Sequence, residues 1–434
     1  MAMDVQKLAY NIVNKSMRVG KKDNPYFLKI SKKYPWMRGA FSLHYAAQNL
    51  CMNEKNAEKF LAKYEDVTYG PLLIKKGKRY RVKDKISMTV QVTYHPDNRT
   101  LAYAVRDELW KKDAFVIMNE TDMERTRKFV QYRSEDALRE LPAVSRLIEE
   151  NIDAAIHLES RDWSGWSRGI PPSKIRVRRP VTMKLHEISD EKHTPWVLVG
   201  WPHKRATRER KFPYRKLKKI MFDCIEYSYS SDIQRLVDAY TKAFKGADII
   251  RITADDGTDL SFSLKGRRLN KDTAEYDEEG VKHGDVGKNI PTGEIFFAPV
   301  ETSANGTLVI PVSVIPGEGV AERLTLTFKD GLVMKSTAEK GAGMLGEFIK
   351  KNGKDSNRIA EFGIGLNKKA EFTRGEIIID EKIFGSVHIA IGWNRGYGGK
   401  TNAASHLDFI KDLRNCNGKV FVDGRLVIDK GRLV

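Results

Sequence analysis

The sequence predicts two domains of different texture: an α/β N-terminal domain with a mostly parallel sheet over residues 1–245, and a β-rich α+β C-terminal domain over 246–434. Three observations carry this. The chain, at 434 residues, exceeds one average domain. Its first half alternates short apolar runs with amphipathic helical segments, the pattern of βαβ units. After residue 245 strand-like pieces dominate.

The elements follow in order. Leu8, Ile12 and Val13 share the apolar face of an opening helix. "NAEKFLAKY" (56–64) reads as helix, "KISMTVQVTY" (85–94) as strand, "RTLAYAVRDELWKK" (99–112) as helix, "AFVIMN" (114–119) as strand and "ETDMERTRKFVQY" (120–132) as helix. "DAAIHLE" (153–159) and "PWVLVGW" (195–201) are strands, and residues 160–180, with their prolines and arginines, read as an interrupting loop. "SSDIQRLVDAYTKAFKGA" (230–247) is a long helix at whose end the boundary is placed. Beyond it come the strands "ADIIRITA", "DLSFSLKG", "GEIFFAPV", "GTLVIPVSVI", "RLTLTFKDGLVMKS", "GEIIID", "GSVHIAIG" and "KVFVDGRLVI". Helical pattern returns in "AEKGAGMLGEFIKKN" (338–352) and around 404–414, while "FKDGLV" and "FVDGRLV" read as hairpins on Asp-Gly turns. No internal repeat or low-complexity tail is present.

Composition narrows the class. Hydrophobic residues make up 41% of the chain, enough for real cores, yet no run approaches the ~20 apolar residues of a membrane span. The opening segment lacks a secretory signal pattern, and Cys51, Cys224 and Cys416 are scattered without paired spacing. A cytoplasmic protein without a disulfide framework or zinc ribbon is expected. The net charge of +19 concentrates in 168–184 and 202–219. Such a face suits nucleic acid or an acidic partner. With no helix-turn-helix, zinc knuckle or aromatic-interleaved motif beside it, we read it as solvated, charge-rich surface of a heat-adapted kind.

Alternate residues of a strand share a face. In "GSVHIAIG" Val387, Ile389 and Ile391 form an apolar face, while His388 shares the other with Ser386, Ala390 and Gly392. In "AEFGIGLN" Phe362, Ile364 and Leu366 oppose Glu361, Gly363 and Gly365. In "HLDFI" Leu407 and Phe409 oppose His406 and Asp408, a pair that points imidazole and carboxylate the same way. Glu294 lies in "PTGEIFFAPV", an apolar setting in which an unpaired carboxylate is costly to bury. Each has a bland alternative as a hydrogen-bonded core group or an exposed strand residue. Together, two imidazoles and three carboxylates form a ligand set for divalent metal, richer than the three protein ligands of a catalytic zinc and suited to two adjacent cations.

Four blocks, "NIPTGEIFFAPVETSANGTLVI", "IAEFGIGLNKKA", "DEKIFGSVHIAIG" and "SHLDFI", resemble in order and approximate spacing the thermophilic metalloprotease family typified by aminopeptidase T and aminopeptidase S. The resemblance is clearest over 285–434. It implies a dinuclear site in the C-terminal domain, with zinc, cobalt, manganese or iron held by Glu294, Glu361, His388, His406 and Asp408. It also implies a homodimer acting on the N-terminal residue of peptides. Glu361 is the expected metal bridge and catalytic carboxylate. The family's tyrosine, seven residues after the first histidine, is replaced by Arg395, and Tyr397 is the nearest substitute. The short glycine-rich segment here also resembles a branch of iron-dependent dioxygenases that open dihydroxypyridine rings. That branch implies one iron on His388, His406 and Asp408, with Glu294 and Glu361 surplus. A basic nucleic-acid-binding protein on a degenerate peptidase scaffold is the third alternative. "GYGG" and "GVKHGDVGKN" lack Walker spacing and read as turns, with His283 at the surface.

Overall fold

A computed structural model describes residues 3–17, 67–69, 72–75, 78–81, 88–162, 165–275 and 286–434. The expected helix at 56–64 and His283 lie outside the described residues. The chain divides into two compact units, one of residues 2–160 with 167–197, the other of 198–434 with 161–166.

The first unit is α/β. Thr89–Tyr94 pairs in parallel with Phe115–Glu120 on one side and Ala154–Leu158 on the other. The helix Arg99–Trp110 makes the first crossover and buries Leu101, Ala102, Val105 and Leu109. Leu8, Ile12 and Val13 are buried on the opening helical segment, as their spacing predicts. A separate antiparallel sheet joins Val67–Tyr69, Leu72–Lys75 and Lys78–Arg81.

One expectation fails here. Residues 160–180 are not all loop, because Pro172–Lys192 is a long helix. Pro171 and Pro172 open it, where a missing N–H removes no helical bond. Pro180 lies inside and does remove one. Tertiary ties hold the C-terminal end: Ser189 Oγ donates to Glu149 at 2.5 Å and Lys192 Nζ to the Ile152 carbonyl at 2.9 Å.

The second unit is β-rich. An eight-stranded and a five-stranded sheet share one hydrophobic core. Val237, Tyr240 and Phe244 of the helix Ser231–Phe244 enter it, and Phe362 packs against Phe244, Phe262 and Phe297. Both Asp-Gly turns form with left-handed residues in sequence, Asp330–Gly331 and Asp423–Gly424, the geometry of type I′ hairpins.

Two segments differ from expectation. Residues 375–380 form no strand: Ile377–Asp380 is a single helical turn. The Asp380 carboxylate accepts from Thr373 N, Thr373 Oγ1 and Gly375 N, closing the chain too tightly for extended backbone. Residues around 404–414 form no helix, because His406–Asp412 is a strand paired with Ser386–Gly392. Its burial alternates with period two, and Lys411, on the core face, is satisfied by Asp256 and the Val309 carbonyl.

Candidate metal centre

The five-stranded antiparallel sheet runs Asn270–Asp272, Glu294–Phe297, Ile359–Gly365, Ser386–Gly392 and His406–Asp412 in spatial order. One face buries Ile295, Phe297, Phe362, Ile364, Val387, Ile389, Ile391, Leu407 and Phe409 in the core. Register settles what the other face holds. Glu294 lies opposite Gly365, His388 opposite Gly363 and His406 opposite Gly392. Glu361 and Asp408 flank Ala390 from either side. Directly opposed residues project to the same face. Each expected ligand therefore has a glycine or alanine as a cross-strand neighbour, and at Gly363 the His388 ring itself takes the space that a side chain would fill.

The side chains converge there. Glu361 divides its oxygens: Oε1 is 3.1 Å from His388 Nε2 and Oε2 is 3.5 Å from His406 Nε2. Asp408 Oδ1 lies 3.3 Å from His406 Nε2, and Glu294 Oε2 lies 3.8 Å from His388 Nε2. His406 Nδ1 faces the Trp393 carbonyl at 2.8 Å, so donation there leaves the Nε2 lone pair turned toward the carboxylates. Glu294 Oε2 and Asp408 Oδ1 are buried and accept no hydrogen bond among the described residues. Buried carboxylate oxygens without donors, facing imidazole nitrogens, fit a cation.

Electrostatics agree. Burial works against the imidazolium of His388, yet Glu361 and Glu294 outweigh it and lift its pKa to about 9. Burial likewise opposes charge on His406, and Asp408 and Glu361 raise it to about 10. Burial pushes Glu294 up to about 8 against the pull of Lys382. Without a metal, protons collect on this face in its place.

Tyr397 sits on the short turn Arg395–Tyr397. Burial, then the charge of Glu361, holds its phenol well above the ordinary value, so it stays neutral. Its hydroxyl is 3.1 Å from the Trp393 carbonyl and 3.4 Å from His406 Nδ1, and its ring meets Phe296 edge-on. Arg395 is exposed. Residues distant in sequence anchor this loop. Asn270 Nδ2 donates to the Tyr397 carbonyl at 3.2 Å, Arg267 to that of Gly398 at 3.0 Å, and Lys400 N to Glu301 at 2.6 Å. "GYGG" is a turn, as expected: a Cβ at Gly399 would lie 2.0 Å from the Asn394 Cγ.

The sequence reading missed Asp272, Glu381 and the fully buried Lys382. Lys382 was visible only as a lone cation between "EIIID" and "IFG", and its partners on distant strands left no local pattern. Burial disfavours its charge, but Glu294, Glu381 and Asp272 raise its pKa well above the ordinary value.

A sequence model of the thermophilic metalloprotease (M29) family matches residues 57–405. The chain belongs to the M29 family. Aminopeptidase AmpS of Bacillus subtilis is 26% identical over 140 residues, 32% of this chain and 33% of AmpS. The 2,5-dihydroxypyridine 5,6-dioxygenase of Pseudomonas putida is 30% identical over 217 residues, 47% of this chain and 59% of that protein. The chain thus aligns with less than two thirds of either relative's length. Among solved structures, wild-type AmpT from Thermus thermophilus superposes with a TM-score of 0.60 at 18% identity, covering 80% of this chain and 94% of AmpT. The Pseudomonas putida dioxygenase superposes with 0.53 at 20%, covering 80% and 92%. Identities this low establish a shared fold. The M29 fold accounts for both textures read from the sequence, the parallel α/β sheet and the β-rich C-terminal part.

Proposed function

We propose that this M29 protein is a metal-dependent aminopeptidase that removes the N-terminal residue of peptides, with two divalent cations held by Glu294, Glu361, His388, His406 and Asp408. The observation that carries it is the split carboxylate of Glu361, one oxygen toward His388 and one toward His406. Glu294 lies toward His388 and Asp408 beside His406, while Asp408 also comes within 4.8 Å of His388 and Glu361, so Glu361 is the carboxylate common to both neighbourhoods.

Charge supports the same count. Glu294, Asp272 and Glu381 pair with the buried Lys382, while Glu361 and Asp408 face the two histidines. With both histidines neutral, four negative charges remain. Two divalent cations balance them, whereas one leaves two charges uncompensated in a buried site.

Divalent cations held by these residues would supply Lewis acidity, lowering the pKa of a bound water and polarising a carbonyl. Glu361 touches both halves and is the group placed to take the water's proton. Tyr397, neutral and beside Glu361 and His406, donates a hydrogen bond to developing oxyanion charge. Zinc, cobalt, manganese and iron all suit these donors.

A homodimer and a cytoplasmic location belong to this proposal, as does the catalytic domain at 246–434. Among the described residues no helix is long and apolar enough to cross a membrane. A second reading, one iron on His388, His406 and Asp408 in a ring-cleaving dioxygenase, draws on the 30% identity with the Pseudomonas putida enzyme. Nucleic-acid binding by the basic segments would leave the clustered ligand set without a role.

Elemental analysis of protein loaded with metal and desalted, beside Glu361→Ala, tests this. About two divalent ions per chain, falling in the variant, together with hydrolysis of amino-acid amides, is the expected result. One iron per chain, indifferent to the variant, supports the dioxygenase instead.

A further inference from the structure

We propose that Lys382 is a positioning residue that selects which carboxylates reach the metals, an inference that rests on the metal site proposed above. Asp272 and Glu294 are directly opposed on neighbouring strands, a like-charge pairing that destabilises a sheet unless a cation intervenes. The Lys382 side chain, 0% exposed, supplies it. Its Nζ lies 2.8 Å from Glu294 Oε1, 3.2 Å from Asp272 Oδ2 and 2.7 Å from Glu381 Oε1.

The consequence lies in which oxygens are taken. On Glu294 the ammonium occupies Oε1, so only Oε2, the oxygen nearest His388, is left to coordinate. Asp272 has its Oδ1 engaged by Asn289 N at 3.2 Å and its Oδ2 by Lys382. Glu381 gives Oε1 to Lys382, its neighbour in sequence. Lys382 thus takes one oxygen each of Glu294, Glu381 and Asp272, and with Asn289 N it leaves neither oxygen of Asp272 free to coordinate.

The backbone fixes Lys382 for this role. Its N–H bonds the Ile379 carbonyl at 3.0 Å and its carbonyl accepts from Asn367 N at 2.8 Å. The segment crosses closely over Gly365, the residue opposite Glu294. A Cβ there would lie 2.3 Å from the Ile383 oxygen and 2.7 Å from the Lys382 carbonyl carbon.

The test is the visible spectrum and cobalt content of cobalt(II)-loaded, desalted protein in four forms: unmodified, Lys382→Met, Glu381→Gln and Asp272→Asn. Glu381→Gln and Asp272→Asn are expected to keep the unmodified spectrum and cobalt content. Lys382→Met is expected to lose band intensity as freed carboxylate oxygens raise the coordination number. A changed spectrum or lost cobalt in Glu381→Gln or Asp272→Asn makes that residue a ligand and overturns the proposal. So does a folded Lys382→Met protein with an unaltered spectrum. Should Lys382→Met not fold, the two acid variants still decide. Failure of the unmodified protein to bind cobalt overturns the metal site itself, and this inference with it.

Discussion

His388 lies directly across the sheet from Gly363, and a Cβ at 363 would fall 2.1 Å from the imidazole Cε1 and Nε2. The ring occupies the space that the missing side chain leaves, and this holds Nε2 against Glu361.

Gly363→Ala is therefore expected to push the His388 ring off Glu361. The residue is buried mid-strand at a negative φ, so steric overlap, not backbone strain, sets the effect. Overpacking of this kind costs about 1–3 kcal/mol. Metal affinity is expected to fall more sharply than stability. Thermal unfolding and metal titration on the same preparation measure both, and normal metal binding in the variant would count against His388 as a ligand.

The pH dependence has a definite sign. In the metal-free protein His388 and His406 hold protons to about 9 and 10, against 6.5 for a free imidazole. A group whose folded pKa is raised contributes stability that is complete below the unfolded pKa and lost as pH climbs through the folded one. Glu294, raised from 4.5 to about 8, acts in the same direction. Metal-free protein should lose thermal stability as pH rises from about 4.5, where Glu294 begins to lose its proton in the unfolded chain, through about 10. Bound cations displace these protons, so metal binding should release protons and tighten as pH rises. Calorimetry in buffers of different ionisation heat reads the proton count. Zero release across this range would contradict the assignment.

Tyr397→Phe removes the hydroxyl that reaches the Trp393 carbonyl and His406 while keeping the ring against Phe296. We expect near-normal stability and full metal content, with kcat on an amino-acid amide reduced by roughly 10–1,000-fold through loss of one oxyanion donor. An unchanged kcat would restrict Tyr397 to packing the loop.

Much of the site was legible because strand geometry is local. Period-two alternation separates Val387, Ile389 and Ile391 from His388, and Leu407 and Phe409 from His406 and Asp408, without knowledge of any partner strand. The same local logic found the Asp-Gly hairpins. It failed where side-chain contacts or strand pairing outside the periodic pattern override it. Three donors to Asp380 curl "IIID" into a helical turn, and pairing with the His388 strand extends the segment around 404–414.

The sequence by itself determined the kinds of atoms available, two imidazoles and three carboxylates on strands with apolar backs, and hence that a cation site was chemically reasonable. Only the tertiary structure decided how those atoms meet. Register places Gly363, Gly365, Ala390 and Gly392 across from the ligands, and a lysine from a separate turn is set between Glu294 and Asp272. Side-chain direction along a strand follows from the chain's own pleat. Which residue stands opposite follows from pairing between segments far apart in sequence, which no local pattern records.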